Sequence, residues 1–176
     1  MNYLKHIVVD NFFDNFNLIE HSFKNIPLFK LKDFNNRNPH NKQNWPGSRS
    51  DSIEFVSPFL FNLFNKEFNI KIGDVFKDIN VRMMLHTHLR IADDSQKDWM
   101  HRDLPYLYSC LVYLSKTNMQ SGTYLYSEDN EIISDIKFIQ NRAVFFDSRY
   151  LHSAYGHHGS SIEDGRLTLN AFYEKV

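Results

Sequence analysis

The 176 residues carry 20 Lys and Arg against 21 Asp and Glu, a formal net charge of -1, so no overall field recruits nucleic acid or an anionic membrane surface. Cys110, the single cysteine, excludes an internal disulfide framework and points to a reducing, cytoplasmic setting. No run approaches the ~20 apolar residues that span a bilayer, and the opening apolar stretch is broken by Lys5, His6 and Asp10, which is too interrupted for a signal peptide.

Sixteen Phe, nine Tyr and two Trp supply the apolar payload of one domain and favour the pleated surfaces of a β-rich core. In chain order, Asp14 stands as an N-cap before Phe16, Ile19, Phe23 and Ile26, a helical spacing that predicts a helix over about 14–25, stopped by Pro27. The polar stretch from Lys30 to Ser52, with Trp45-Pro46-Gly47 and Arg49, reads as a long loop or irregular lid, and its part from about 36 to 52 is the first candidate for a cover over a substrate. Ser57-Pro58 opens a second helix over about 58–68, with Phe61, Phe64 and Phe68 on one face.

From Asn80 the period changes to two, with Val81, Met83, Leu85, Thr87 and Leu89 on one side. Further strands follow over 107–114, 123–126, 143–146 and 167–173, separated by Ser121-Gly122, Glu128-Asp129-Asn130, Gln140-Asn141 and Asp164-Gly165. Helices over about 14–68 that buttress strands over about 79–176 suggest one mainly β domain, a cupin-like jelly roll.

His101-Arg102-Asp103 is an H-x-D pair, and on an extended segment residues two apart point to one side, so both can reach a common metal. His152 follows the apolar run Val144-Phe145-Phe146, which a sheet can bring alongside. Two histidines and one carboxylate leave three positions of an octahedral ion open, as in non-haem iron(II) oxygenases, whereas zinc more often takes four ligands. Such a site stays positive and favours a chelating 2-oxo acid, with a further position for dioxygen. Arg166, Thr168 and Asn170 alternate with Leu167, Leu169 and Ala171. A buried guanidinium at Arg166 needs a carboxylate partner.

With these residues in this order, together with Cys110 to Leu114, Ser121-Gly122-Thr123 and Asn141 to Phe146, the last 80 or so residues resemble the 2-oxoglutarate and iron(II)-dependent oxygenase superfamily, in its prolyl-hydroxylase-like branch of small bacterial and phage proteins. The resemblance implies a double-stranded β-helix, iron ligands at His101, Asp103 and His152, and 2-oxoglutarate held through its distal carboxylate by Arg166, with Tyr113 and Thr168 as further contacts. It implies hydroxylation of an aliphatic C–H, and Asp103 favours that over halogenation, because halogenating relatives lack the carboxylate. The substrate is left open between a peptidyl proline, an amino acid and a small metabolite, as is the oligomeric state. A non-catalytic cupin-like metal-binding or sensor protein is the alternative from another class, and a metal enzyme that binds its substrate directly is a third.

Blander assignments stand beside these. His86 and His88 read as surface or substrate-side histidines ahead of a second metal pair. His157-His158 belongs to a solvated loop, Arg142 and Arg149 to surface or supporting charges, and Cys110 to the core. Arg102 faces away from its two neighbours and toward substrate. Tyr113 reads equally as a core residue, since a one-residue slip in register exchanges it with neighbouring tyrosines.

Overall fold

The computed structural model describes residues 6–37, 39–40, 43–94 and 98–176. Its first helix, α1, spans Phe16–Lys24. Asn15 occupies the N-cap without a side-chain hydrogen bond, and Asp14 does not cap; its carboxylate instead pairs with Lys71 at 2.7 Å. A full ammonium charge within reach outcompetes the partial charge of a helix end. The proline-initiated helix α4 spans Pro58–Lys71, three residues longer than its aromatic pattern predicts, and follows the short helix α3 at Ile53–Val56. It buries Leu60, Phe64 and Phe68, each contributing roughly 1.5–3 kcal/mol of burial, while Phe61 is only partly buried.

The expected irregular stretch is more ordered than its polar composition suggests. It holds helix α2 at Leu31–Arg37, and strands β2 (Phe29–Lys30) and β3 (Ser48–Arg49). Gly47 makes the last of these possible. Its φ of +81° is closed to most side chains, and a Cβ there would lie 2.3 Å from the Leu89 carbonyl oxygen. The chain therefore turns tightly after Pro46 and Ser48 pairs with Leu89, Arg49 with His88. Residues 38, 41 and 42 of the expected lid lie outside the described residues.

Three long or central strands, β4 (Val81–Arg90), β5 (Tyr108–Tyr113) and β10 (Arg166–Lys175), join β8 (Ala143–Asp147) and the N-terminal β1 (Ile7–Val9). With β2 and β3 they form a seven-stranded sheet in the order β1-β8-β5-β10-β4-β3-β2. A second sheet, β7-β6-β9, uses Ile132–Phe138, Asn118–Tyr126 and Leu151–Tyr155. All pairings are antiparallel. The two sheets face each other as a double-stranded β-helix with helices on the outer face of the larger one.

β8 shows how the layers are made. All five of its residues are buried, because Ala143 and Phe145 join the helix-side core while Val144 and Phe146 join the core between the sheets. A strand covered on both faces reads as a continuous apolar run rather than an alternation. On the helix side Phe68 packs on Phe145 and Tyr173 at centroid distances of 5.7 and 4.9 Å. The core between the sheets, built on Leu111, Tyr113, Leu125, Ile136 and Phe138, fills only part of that space; the rest is an open cavity. No helix among the described residues is long and apolar enough to cross a membrane.

Candidate metal and cosubstrate site

The cavity measures about 510 Å³ and lies on the inner face of the large sheet. β10 and β4 run antiparallel with Arg166 opposite Arg90, Thr168 opposite His88 and Asn170 opposite His86. In both strands it is the alternate polar set that lines the cavity, while Leu167, Leu169, Ala171 and Leu85 enter the helix-side core. Period-two pleating thus places one polar wall and one apolar wall on the same two strands.

His101, Asp103 and His152 converge at the cavity edge, with one potential ligand atom from each lying within 4.8 Å of the others. The two histidines come from different parts of the chain and meet through an isolated antiparallel bridge. Each backbone N–H of the pair donates to the other's carbonyl, at 3.0 and 2.9 Å. A third bond, from the Asp103 N–H to the Ser148 carbonyl at 3.1 Å, fixes the segment that carries the carboxylate. The side chains are oriented in turn. His101 Nδ1 donates to the Trp99 carbonyl at 2.9 Å and His152 Nδ1 to the Tyr150 carbonyl at 3.0 Å, so both protons sit on Nδ1 and both Nε2 lone pairs are free. Those Nε2 atoms lie 3.6 and 3.4 Å from the Asp103 carboxylate oxygens.

Asp103 Oδ2 also accepts a 2.6 Å hydrogen bond from Ser109, whose hydroxyl contacts that of Ser148 at 2.9 Å. Burial pulls His152 below the ordinary histidine range, with the Asp103 charge opposing that shift. A neutral imidazole is the ligand form. The donor set of two imidazole nitrogens and a carboxylate, held open on the cavity side, fits a divalent transition metal of the iron(II) type.

Arg166 is buried, and its Nη2 donates to the Gly122 carbonyl at 3.2 Å and to Thr123 Oγ1 at 3.5 Å, while Nε has no partner. Its guanidinium lies over the rings of Phe138 and Tyr113, at 5.4 and 5.8 Å, and desolvation depresses its pKa. Among the described residues it has no carboxylate partner. Thr168 lines the same wall and donates to the His88 carbonyl at 3.3 Å.

Tyr113 is placed differently from the direct cosubstrate contact that the resemblance implies. It is fully buried, does not line the cavity, and donates its hydroxyl to Thr123 Oγ1 at 2.9 Å. In this structure its ring supports the Arg166 guanidinium from below, and Thr123 takes the position on the cavity wall.

His86 and His88 are on the cavity wall, not the surface. His86 Nδ1 donates to the Ser50 carbonyl at 3.1 Å and His88 Nε2 to that of Pro46; burial lowers the first to about 4 and the second well below the histidine range. Arg102 reaches the cavity rim and pairs with Glu128, Arg142 pairs with Asp10, and Arg149 with Asp147. His157 is not merely solvated: Nδ1 lies 3.2 Å from Asp98 Oδ2. Ser109 and Thr123 escaped sequence reasoning because their roles arise from strands that are distant in the chain. Arg90 was within reach of it, since Met84, His86, His88 and Arg90 form the second, polar face of β4.

No protein-family model matches the chain, and no curated protein matches it in sequence. Its fold, however, is that of solved oxygenase structures. A 2OG-Fe(II) oxygenase family oxidoreductase from Burkholderia pseudomallei superposes with a TM-score of 0.67 at 11% identity, covering 96% of this chain and 84% of the other. HygX from Streptomyces hygroscopicus, solved with nickel and 2-oxoglutarate bound, gives 0.62 at 12% identity over 96% and 82%. The viral collagen prolyl hydroxylase of Paramecium Bursaria Chlorella virus-1 gives 0.60 at 12% identity over 97% and 90%. At these identities the likeness is one of fold, a double-stranded β-helix shared with solved 2-oxoglutarate and iron(II) oxygenase structures.

Proposed function

We propose that residues 1–176 form a single iron(II)- and 2-oxoglutarate-dependent dioxygenase domain that hydroxylates an aliphatic C–H. The observation that carries this reading is the pairing, in one cavity, of the convergent His101, Asp103 and His152 with a buried Arg166 guanidinium that lacks a carboxylate partner among the described residues. A metal site alone is compatible with storage or sensing. A metal site beside an unmatched buried cation asks for an anionic cosubstrate.

In this reading His101, Asp103 and His152 hold the iron, and Arg166 takes the distal carboxylate of 2-oxoglutarate with Thr168 beside it. When bound, iron(II) and 2-oxoglutarate supply the coupled chemistry in which dioxygen converts the cosubstrate to succinate and carbon dioxide and a substrate C–H to C–OH. The chain's own contribution is positional. The carbonyls of Trp99 and Tyr150 fix both histidine tautomers, Ser109 steadies Asp103, and the aromatic floor of Tyr113 and Phe138 keeps the Arg166 guanidinium in a fixed plane away from bulk water. Buried Cys110, the sole thiol, supports a reducing cytoplasmic location in which iron(II) persists.

The test is succinate formation from 2-oxoglutarate with added iron(II) in air, alongside the visible charge-transfer band that forms when both are added anaerobically. Both are expected in the native chain and absent in Asp103→Ala. A band that forms without any succinate on admission of air identifies a binding protein instead.

A further inference from the structure

Five arginines line the cavity: Arg49, Arg82, Arg90, Arg102 and Arg166. Three are matched by carboxylates within the chain. Arg82 lies 3.9 Å from Glu174, Arg90 pairs with Asp94 at 3.1 Å and also with Asp98, and Arg102 lies 2.7 Å from Glu128. Arg49 and Arg166 have no carboxylate within salt-bridge distance among the described residues, and the positions outside that set, 1–5, 38, 41–42 and 95–97, contain no Asp or Glu. Two unmatched guanidiniums in one cavity call for two anions. If Arg166 takes the distal carboxylate of 2-oxoglutarate, the half-buried Arg49 is left open to another.

The two cations lie in different parts of the cavity. Arg49 feels the charge of Asp103 and Tyr106, whereas Arg166 feels Tyr113, Asp98 and Arg90. The Arg49 guanidinium sits between Trp45 and Phe172, at 5.0 and 5.8 Å from their rings. Arg49 stands on β3 opposite His88, two strands away from Arg166 on β10.

The charge around Arg49 also selects the kind of anion. Its own pKa falls to about 10 on burial, which leaves it cationic at neutral pH. His86 and His88 stand beside it on β4, but burial keeps both neutral and backbone carbonyls take the N–H of each. One positive charge with a planar fork of donors matches a monoanionic carboxylate better than a phosphate dianion, which needs more than one cation. The cavity wall also carries Phe34, Phe55, Met84 and Tyr106, beside the polar Asn44 and Glu54.

We propose that the substrate is a small carboxylic acid, bound through its carboxylate to Arg49 with its apolar body against Trp45 and Phe172, so that a C–H near the metal ligands is the one oxidised. This rests on the reading of the site as an oxygenase. The unmatched Arg49 favours a free acid over an internal proline of a chain, whose neutral amides give Arg49 no counter-charge.

The experiment uses protein loaded anaerobically with iron(II) and saturating 2-oxoglutarate, titrated calorimetrically with three matched pairs of acid and primary amide: 3-phenylpropionate, 4-methylpentanoate and N-acetylproline. At least one acid is expected to bind about ten-fold or more tightly than its amide, the size of a lost charged hydrogen bond. In Arg49→Gln that preference should fall to within about two-fold, and in Arg49→Lys part of it should return, with the charge-transfer band and the 2-oxoglutarate midpoint unchanged in both. The proposal is overturned when no acid is preferred over its amide, when Arg49→Gln keeps the preference, when 2-phenylethylphosphonate binds more tightly than 3-phenylpropionate through Arg49, or when Arg49→Gln weakens iron binding instead, which makes Arg49 a partner of Asp103. Failure of the native protein to form the band at all counts against the oxygenase reading, so the two failures are told apart.

Discussion

His101 and His152 are reciprocal backbone partners: each donates its N–H to the other's carbonyl, at 3.0 and 2.9 Å, and their ring centroids lie 4.4 Å apart. The bridge ties His101, outside the named strands, to His152 on β9, so the spacing of the two imidazoles is set at the backbone before any metal arrives. Preorganisation of this kind lowers the ordering cost of binding an ion.

Replacing either histidine by alanine leaves the backbone bridge intact, so the loss falls on metal and not on fold. In His152→Ala, iron or its substitute nickel should bind at least about a hundred-fold more weakly by calorimetry, with a far-ultraviolet circular dichroism spectrum unchanged from the native chain.

Ser109 lies behind Asp103 and touches no metal position. Ser109→Ala removes the 2.6 Å bond to Oδ2 and should weaken metal binding by about 10–100-fold, as loss of an outer hydrogen bond to a ligand commonly does. A variant with unchanged affinity would show that the carboxylate is steered by its backbone alone.

Arg166→Ala should raise the 2-oxoglutarate midpoint of the charge-transfer band by about a hundred-fold or more while iron affinity changes little. Arg166→Lys should recover only part of it, because an ammonium lacks the planar two-pronged donor set. Equal losses of iron and 2-oxoglutarate in the alanine variant would indicate misfolding.

Gly47→Ala forces a side chain into a positive-φ position and against the Leu89 carbonyl. A cost of more than about 1 kcal/mol is expected in urea unfolding, and because Arg49 follows two residues on, any shift of the turn should also move the Arg49 guanidinium off Trp45. Phe68→Ala, in contrast, should cost about 3–5 kcal/mol with the 2-oxoglutarate midpoint preserved, since Phe68 packs on the opposite side of the large sheet.

Acidification should destabilise the metal-free protein through His86 and His88. Both have folded pKa values below the ordinary 6.5, His86 at about 4, with desolvation the leading cause. Between those values and 6.5 the unfolded chain binds more protons, so stability is complete above about pH 6.5 and falls as pH drops toward 4. The thermal midpoint of His86→Gln should decline less steeply over that window than that of the native chain.

Much of the site was legible in the chain because it depends on period and order. The alternation Arg166, Thr168, Asn170 against Leu167, Leu169, Ala171 encodes which side of a strand meets the cavity, and H-x-D encodes two ligands on one side. The helices around Phe16 to Phe23 and Phe64 to Phe68 were legible for the same reason. What period cannot encode is which distant strand lies opposite. The placement of His152 against His101, the withdrawal of Tyr113 beneath Arg166 in favour of Thr123, and the addition of Ser48-Arg49 to the sheet edge follow from pairings across tens of residues. The unmatched charge of Arg49 is of this second kind. Sequence names the cation, and only tertiary structure shows that no carboxylate of the described residues comes within salt-bridge distance of it, because pairing depends on distances that backbone register sets.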